Sequence, residues 1–221
     1  MNSKKNKKPY ELIIFDWDGT LMDSERKIVN CFRKAISDTG IDYPGDAAVR
    51  NIIGLGLKEA LDVLLPDSTD SIRTQVVNRY REHFLHLDET DMPLFKGVEE
   101  GLMRLQNGNY LLAIATGKAR IGLDRVLQHT QLGQFFIASR CADETASKPH
   151  PHMVLDILTA TGIPAERAIV VGDTTYDIEM ARRANTVALA VCYGVHQREE
   201  LIAEGPIDCV ENFSAVLDWF L

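Results

Sequence analysis

Four apolar residues, Leu12-Ile13-Ile14-Phe15, run straight into Asp16-Trp17-Asp18-Gly19-Thr20. A short apolar run closed by glycine reads as a buried strand. Side chains two residues apart on a strand share a side, so Asp16 and Asp18 leave it codirected. Gly19 lets the backbone turn sharply just past them. In open parallel α/β sheets, ligands bind beyond the carboxyl ends of the strands, where these acids fall. Two carboxylates so close repel, and they need a cation or a shared proton. Mg²⁺ suits the pair, because it is usually held by one or two carboxylates together with phosphate oxygens. Asp and Gly are also ordinary turn residues, so the rest of the chain decides between a site and a turn.

After Thr20 the periodicity changes to helical. Asp23 or Ser24 is placed to cap a helix bearing Ile28, Val29, Phe32 and Ile36, with Gly40 ending it. Residues 42–56 read as loop, with Pro44-Gly45 and Gly54-Leu55-Gly56. A second helix carries Ala60, Leu61, Leu64 and Leu65 up to Pro66, and a third carries Ile72, Val76, Tyr80 and Phe84. From Pro93 onward, apolar runs alternate with helical patterns. Strands are expected at 110–115, 135–141, 168–171 and 186–191, and helices at 97–107, 119–128, 151–161, 176–184, 197–203 and 214–220. Strands alternating with helices imply βαβ units and a parallel sheet covered on both faces. The expected class is therefore α/β: a Rossmann-like core from residues 1–22 and 93–221, with an all-helical cap domain, residues 23–92, inserted.

With 45% hydrophobic residues in 221, the chain can bury a sizeable core. A net charge of −8 argues against a general nucleic-acid binder. Cys31, Cys141, Cys192 and Cys209 are scattered, with no CxxC pair. They read as small buried hydrophobes in a reducing compartment, with neither a disulfide framework nor a zinc site. No run approaches the ~20 apolar residues of a spanning helix, so no membrane role is expected. The basic stretch Ser3 to Pro9 lacks an apolar segment behind it and reads as a disordered tail on a cytoplasmic protein.

Three further strand ends carry polar residues suited to the same site. Strand 110–115 runs into Thr116-Gly117-Lys118, where a hydroxyl and a helix N-terminus could hold an anion. Lys148 stands at the mouth of the next βα unit, placed to neutralise phosphate and orient a carboxylate. Strand 168–171 ends in Gly172-Asp173, and Asp177 lies one helical turn on, so both acids can face one point. Four carboxylates, a hydroxyl with free amides, and a lysine suit phosphoryl transfer.

Asp16-Trp17-Asp18-Gly19-Thr20, Thr116, Lys148 and Gly172-Asp173-x-x-x-Asp177 resemble, in order, the four motifs of the haloacid dehalogenase-like phosphohydrolase superfamily. The helical insertion after the first motif is similar to the small cap of its phosphoglycolate phosphatase and β-phosphoglucomutase branch. Phe95-Lys96-Gly97-Val98 and Lys148-Pro149-x-Pro151 are also similar to phosphoglycolate phosphatase-like members. Gly117 departs from them, since many have Asn there.

The resemblance implies roles. Asp16 would attack phosphorus and form an aspartyl-phosphate, and Asp18 would protonate the leaving alkoxide and then activate water. Thr116, with amides near Trp17, Asp18 and Gly117, would hold the phosphoryl group, and Lys148 would bridge it to Asp16. Mg²⁺ would be held by Asp16, Asp173, Asp177 and the Asp18 carbonyl, with Asp177 either a ligand or one layer out.

The expected activity is Mg²⁺-dependent hydrolysis of a small phosphorylated metabolite by a monomer or homodimer. A β-phosphoglucomutase-like phosphomutase shares every core motif. A non-catalytic binding protein on the same fold would carry a damaged motif, and a 2-haloacid dehalogenase would not need Asp18. Specificity is expected from the cap loop Arg50 to Lys58. There Gly54 and Gly56 permit close backbone approach, and Arg50 or Lys58 could meet a carboxylate or second phosphate, or instead sit on a solvated helix face.

Overall fold

The computed structural model describes residues 9–221; the expected basic tail falls, but for Pro9, outside them. Six strands form one sheet: β1 Leu12–Phe15, β2 Leu111–Thr116, β3 Ala138–Cys141, β4 Ala168–Gly172, β5 Val187–Val191 and β6 Asp208–Val210. Their order is β3-β2-β1-β4-β5-β6, and every pairing is parallel. Phe15 pairs with Ile114 on one side and Val171 on the other. The ends of β1, β2 and β4 therefore lie side by side at the middle of the sheet.

The two-residue alternation of the strands divides the core. Ile13, Phe15, Leu112, Ile114, Ile169 and Val171 face one way, into the cluster closed by Leu102, Leu123, Phe213 and Leu217. These belong to α5 Val98–Asn107, α6 Arg120–Thr130 and α10 Phe213–Phe220. Leu12, Ile14, Ala113, Ala115, Ala168 and Val170 face the other way, toward Met153, Ile157, Ile178 and Leu201. Those come from α7 His152–Thr161, α8 Thr175–Arg183 and α9 Arg198–Ala203. Both faces are dry, which accounts for the continuous apolar runs.

Between β1 and β2, α1 Glu25–Asp38, α2 Asp46–Arg50, α3 Leu57–Leu64 and α4 Asp70–Glu82 continue into a π-helical turn, His83–Leu87. They enclose an apolar cluster of their own around Phe32, Ile36, Val49, Leu61 and Val76. The chain's exit and return run together here: the Asp23 amide donates to the Pro93 carbonyl (2.8 Å), and the Phe95 amide to the Leu21 carbonyl (3.0 Å).

Several expectations change. Helix α2 lies in the stretch read as loop, entered through Gly45 at φ +100°. Ser24 occupies the N-cap position of α1, but its side chain makes no cap hydrogen bond. Strand β3 starts at Ala138, because Leu132–Phe135 wind into a 3₁₀ turn. Strand β6 was not expected. Cys31, Cys141 and Cys209 are buried, whereas Cys192 is only partly so. Among the described residues, no helix is long and apolar enough to cross a membrane.

Candidate active site

Asp16 follows β1 directly and is 1% exposed. The Lys148 ammonium lies 2.8 Å from its Oδ1 and 2.7 Å from Asp177 Oδ1. Asp173, at the end of β4, is turned inward by the Thr20 hydroxyl on its Oδ1 and the Val195 amide on its Oδ2, each at 2.8 Å. Asp177 sits in the first turn of α8. Its Oδ2 accepts from the Thr174 amide and hydroxyl, at 3.1 and 2.6 Å, closing a capping box. The sequence pairing of Asp173 with Asp177 is thus realised as one strand end and one helix cap.

Glycines make room for this cluster. A Cβ on Gly19 or Gly194 would overlap the Asp173 carboxylate, and one on Gly172 would overlap Asp177. Gly19 also has φ +79°, a conformation that glycine adopts without strain.

Carboxylate oxygens of Asp16, Asp173 and Asp177 all lie within 4.8 Å of one another. Burial pushes the Asp16 carboxyl well above its ordinary range; Lys148 opposes the rise, while Asp177 and Asp173 add to it. Burial, reinforced by Asp177, holds Asp173 up at about 7. Desolvation would lower the Lys148 ammonium, but Asp16 and Asp177 together hold it above its usual value, and so charged. Three carboxylates share one ammonium, and Asp16 Oδ2 is buried with no hydrogen-bond partner. An all-oxygen, charge-deficient group of this kind fits a hard divalent cation.

The Asp18 carboxylate stands apart from that group. The Ser24 hydroxyl donates to its Oδ1 at 2.5 Å, and the Lys118 ammonium lies 2.9 Å from the same oxygen. The Lys118 side chain is buried, with its ammonium 4.9 Å from the centre of the Phe84 ring. Sequence reasoning named Lys118 only as part of a loop, and Ser24 only as a cap. Their codirection toward Asp18 depends on how α1 and β2 are placed, and neither local pattern reveals it.

Thr116 ends β2 and is fully buried; its hydroxyl accepts from the Lys118 amide at 3.2 Å. The Trp17 amide donates to Asp16 Oδ1 at 2.6 Å, while its ring packs in the sheet core. Gly117 has no room for a side chain: its Cβ would lie 2.5 Å from the Gly54 carbonyl oxygen and 2.7 Å from that of Leu55. The departure from Asn at this position thus coincides with a backbone-to-backbone approach of the inserted loop.

Asp16 and Asp18 form the floor of a chamber of about 100 Å³ between the sheet and the inserted helices. Gly54 lines it, as expected of that loop. Gly56 instead donates its amide to the Ser147 hydroxyl at 2.7 Å. Arg50 and Lys58 are not among the lining residues. Arg50 Nε binds Glu25 Oε1 on the surface, and Lys58 binds Asp62 one helical turn on. The sequence shows both as cations beside glycines, but the helical phase of α2 and α3 turns them outward. Two cations do line the chamber, Lys118 and Arg81, and sequence reasoning passed over Arg81 because it lies on the charged, solvent-facing side of α4.

The profile described as haloacid dehalogenase-like hydrolase matches residues 13–191. A Dickeya dadantii protein named "Probable phosphatase IndB" is 36% identical over 210 residues, covering 93% of this chain and 91% of that one. A phosphoglycolate phosphatase of Aquifex aeolicus is 30% identical over 186 residues, with 83% and 85% covered. In fold, a hydrolase from Pseudomonas syringae superposes with a TM-score of 0.86 at 23% identity, covering 94% of this chain and 96% of that one. The chain belongs to the haloacid dehalogenase-like hydrolase family and is a phosphohydrolase of it.

Proposed function

We propose that the protein is a Mg²⁺-dependent phosphatase that hydrolyses a small phosphomonoester through a covalent aspartyl-phosphate, the chemistry expected of relatives named phosphoglycolate phosphatase. One observation supports this most directly: a nucleophile-competent carboxylate, Asp16, is gripped by a buried lysine at the floor of the chamber beneath the inserted helices. Asp16, Asp173 and Asp177 would hold the cation, which supplies charge neutralisation for the phosphoryl oxygens.

In the first step, an Asp16 carboxylate oxygen attacks phosphorus and the bond to the leaving oxygen breaks. Protonated Asp18 gives its proton to that oxygen, and the alcohol departs. In the second step, Asp18 takes a proton from water, the water oxygen attacks phosphorus, and the bond to Asp16 breaks to release phosphate. Thr116 and the amides around Trp17, Asp18 and Gly117 hold the transferred oxygens. Lys148 offsets the charge shared by Asp16 and the phosphoryl group.

The inserted helices act as a cap, hinged at the paired crossings near Asp23 and Pro93, that excludes water while the first step proceeds. With Arg50 and Lys58 turned outward onto Glu25 and Asp62, neither is placed to seat a second phosphate in this arrangement. The test is phosphate release from a panel of phosphomonoesters with Mg²⁺. Asp16→Asn, nearly isosteric, lowers kcat at least ~10³-fold with the circular dichroism spectrum unchanged. Retention of more than a few per cent of activity, with deamidation excluded by mass, removes Asp16 from the nucleophile's role.

A further inference from the structure

The chamber over Asp16 and Asp18 is walled mainly by hydrocarbon. Phe32, Tyr80 and Phe84 line it in a row, with ring centres 4.4 Å apart for the first pair and 5.6 Å for the second. Ile52, Ile53 and Leu55 of the cap loop also line it. Beyond the two floor carboxylates, the polar side chains of the lining are those of Tyr80, Arg81 and Lys118.

These groups differ in what they have left to offer. Lys118 is held by Asp18 at 2.9 Å. The Tyr80 side chain is largely buried beside Phe32. Arg81, in the last turn of α4, is solvent-exposed and makes no ion pair or hydrogen bond among the described residues. Four other arginines of the inserted helices are occupied: Arg33 by Asp46, Arg50 by Glu25, Arg73 by Asp62, and Arg79 by Asp38.

A sugar in such a space would leave most of its hydroxyls without partners, and each unpaired buried hydroxyl is costly. Glycolate would leave the aromatic row uncovered. A flat hydrocarbon group covers the row, and an anion at its far end meets the one lining cation that lacks a partner.

We propose that the physiological leaving group is a compact, planar, largely apolar alcohol carrying one anionic group, with Phe84 and Arg81 as its specificity-determining residues. This rests on the phosphatase reading of the same site. It names a substrate class set by the cap's aromatic row, whereas the loop cations singled out from the sequence play no part in it.

The experiment measures kcat/KM with Mg²⁺ for four phosphates of primary alcohols, so that leaving-group basicity differs little. They are 4-carboxybenzyl phosphate, benzyl phosphate, glucose 6-phosphate and phosphoglycolate. The expected order places 4-carboxybenzyl phosphate about tenfold above benzyl phosphate. Benzyl phosphate in turn stands about a hundredfold above glucose 6-phosphate and phosphoglycolate. Arg81→Gln brings the ratio of the two benzyl esters to about one, and Arg81→Lys restores part of it. Phe84→Leu, which keeps an apolar side chain in the wall, lowers both benzyl esters relative to glucose 6-phosphate.

A ranking led by glucose 6-phosphate or phosphoglycolate overturns the substrate class while leaving the phosphatase reading intact. So does an unchanged benzyl-ester ratio in folded Arg81→Gln. Absence of phosphate release from all four esters takes down the phosphatase reading itself, and the substrate class with it.

Discussion

Lys118 Nζ lies 2.9 Å from Asp18 Oδ1, the same oxygen that accepts from the Ser24 hydroxyl. One group comes from the loop after β2 and the other from the start of α1, so the sheet and the inserted helices jointly orient one carboxylate. Removing either donor frees it to turn, and proton transfer depends on alignment.

Lys118→Met should therefore lower kcat about 10- to 100-fold with a smaller change in KM, and Ser24→Ala should lower it less. Because both act on one oxygen, the double variant should fall short of the product of the single effects. Steady-state kinetics on the four proteins measures this. Multiplicative losses would mean that the two residues act independently.

Chelation should abolish phosphate release, and Mg²⁺ should restore it. Ca²⁺ should bind without restoring turnover, because it takes more oxygens at longer distances. Binding can be followed separately as a rise in Tm when either ion is added. Asp173→Asn should lose that rise as well as activity, whereas full turnover in excess chelator would remove the cation from the reading.

At Gly117 the core and the cap loop meet backbone to backbone. Gly117→Asn should push Gly54 and Leu55 back by the width of a side chain. We expect stability to fall by about 1–3 kcal/mol and kcat/KM to drop by roughly tenfold. Urea unfolding and kinetics report the two effects, and an Asn variant equal to the parent in both would show that the loop yields freely.

Asp88 offers a pH-dependent test away from the site. It sits at the end of the inserted helices, where Lys34 Nζ lies 2.7 Å from its Oδ2 and the Thr90 amide donates to its Oδ1 at 2.9 Å. Burial alone would raise its carboxyl. The hydrogen bond from Lys34, helped by Thr90, outweighs burial and brings it to about 2, below the 3.8 of a free aspartate. A lowered folded-state value means that the stabilisation is complete above about pH 4 and disappears as pH falls toward 2. Asp88→Asn should thus cost about 1–3 kcal/mol at pH 7, and the difference from the parent should shrink between pH 4 and 2. A difference that does not change with pH, measured by urea midpoints, would assign the cost to packing instead.

Much of this was legible because the signals were local. Strands β1, β2, β4 and β5 announced themselves by unbroken apolar runs, since both sheet faces are covered there. Asp16 and Asp173 were legible because each directly follows such a run, and Asp177 because it lies one helical turn beyond Asp173. What was missed depended on how separate elements lie together. The three residues of β6, Asp208–Val210, are too few to show a period, and the strand exists by pairing with β5. Arg81 looks like any cation on a charged helix until the tilt of α4 over the chamber is known. Arg50 and Lys58 stayed open between the chamber and a solvated helix face for the converse reason: nearness to Gly54 and Gly56 in sequence did not fix which way α2 and α3 would turn them.

The hydrogen bond from the Gly56 amide to the Ser147 hydroxyl has a further consequence. Ser147 immediately precedes Lys148, whose ammonium spans Asp16 and Asp177. The docking of the cap loop and the electrostatic state of the cluster therefore share two adjacent residues. Binding linkage is reciprocal. If the closed loop steadies the lysine and raises the cluster's affinity for a cation by some factor, the cation favours the closed loop by that same factor. A single serine hydroxyl would then tie the timing of water's entry to the charge on the nucleophile.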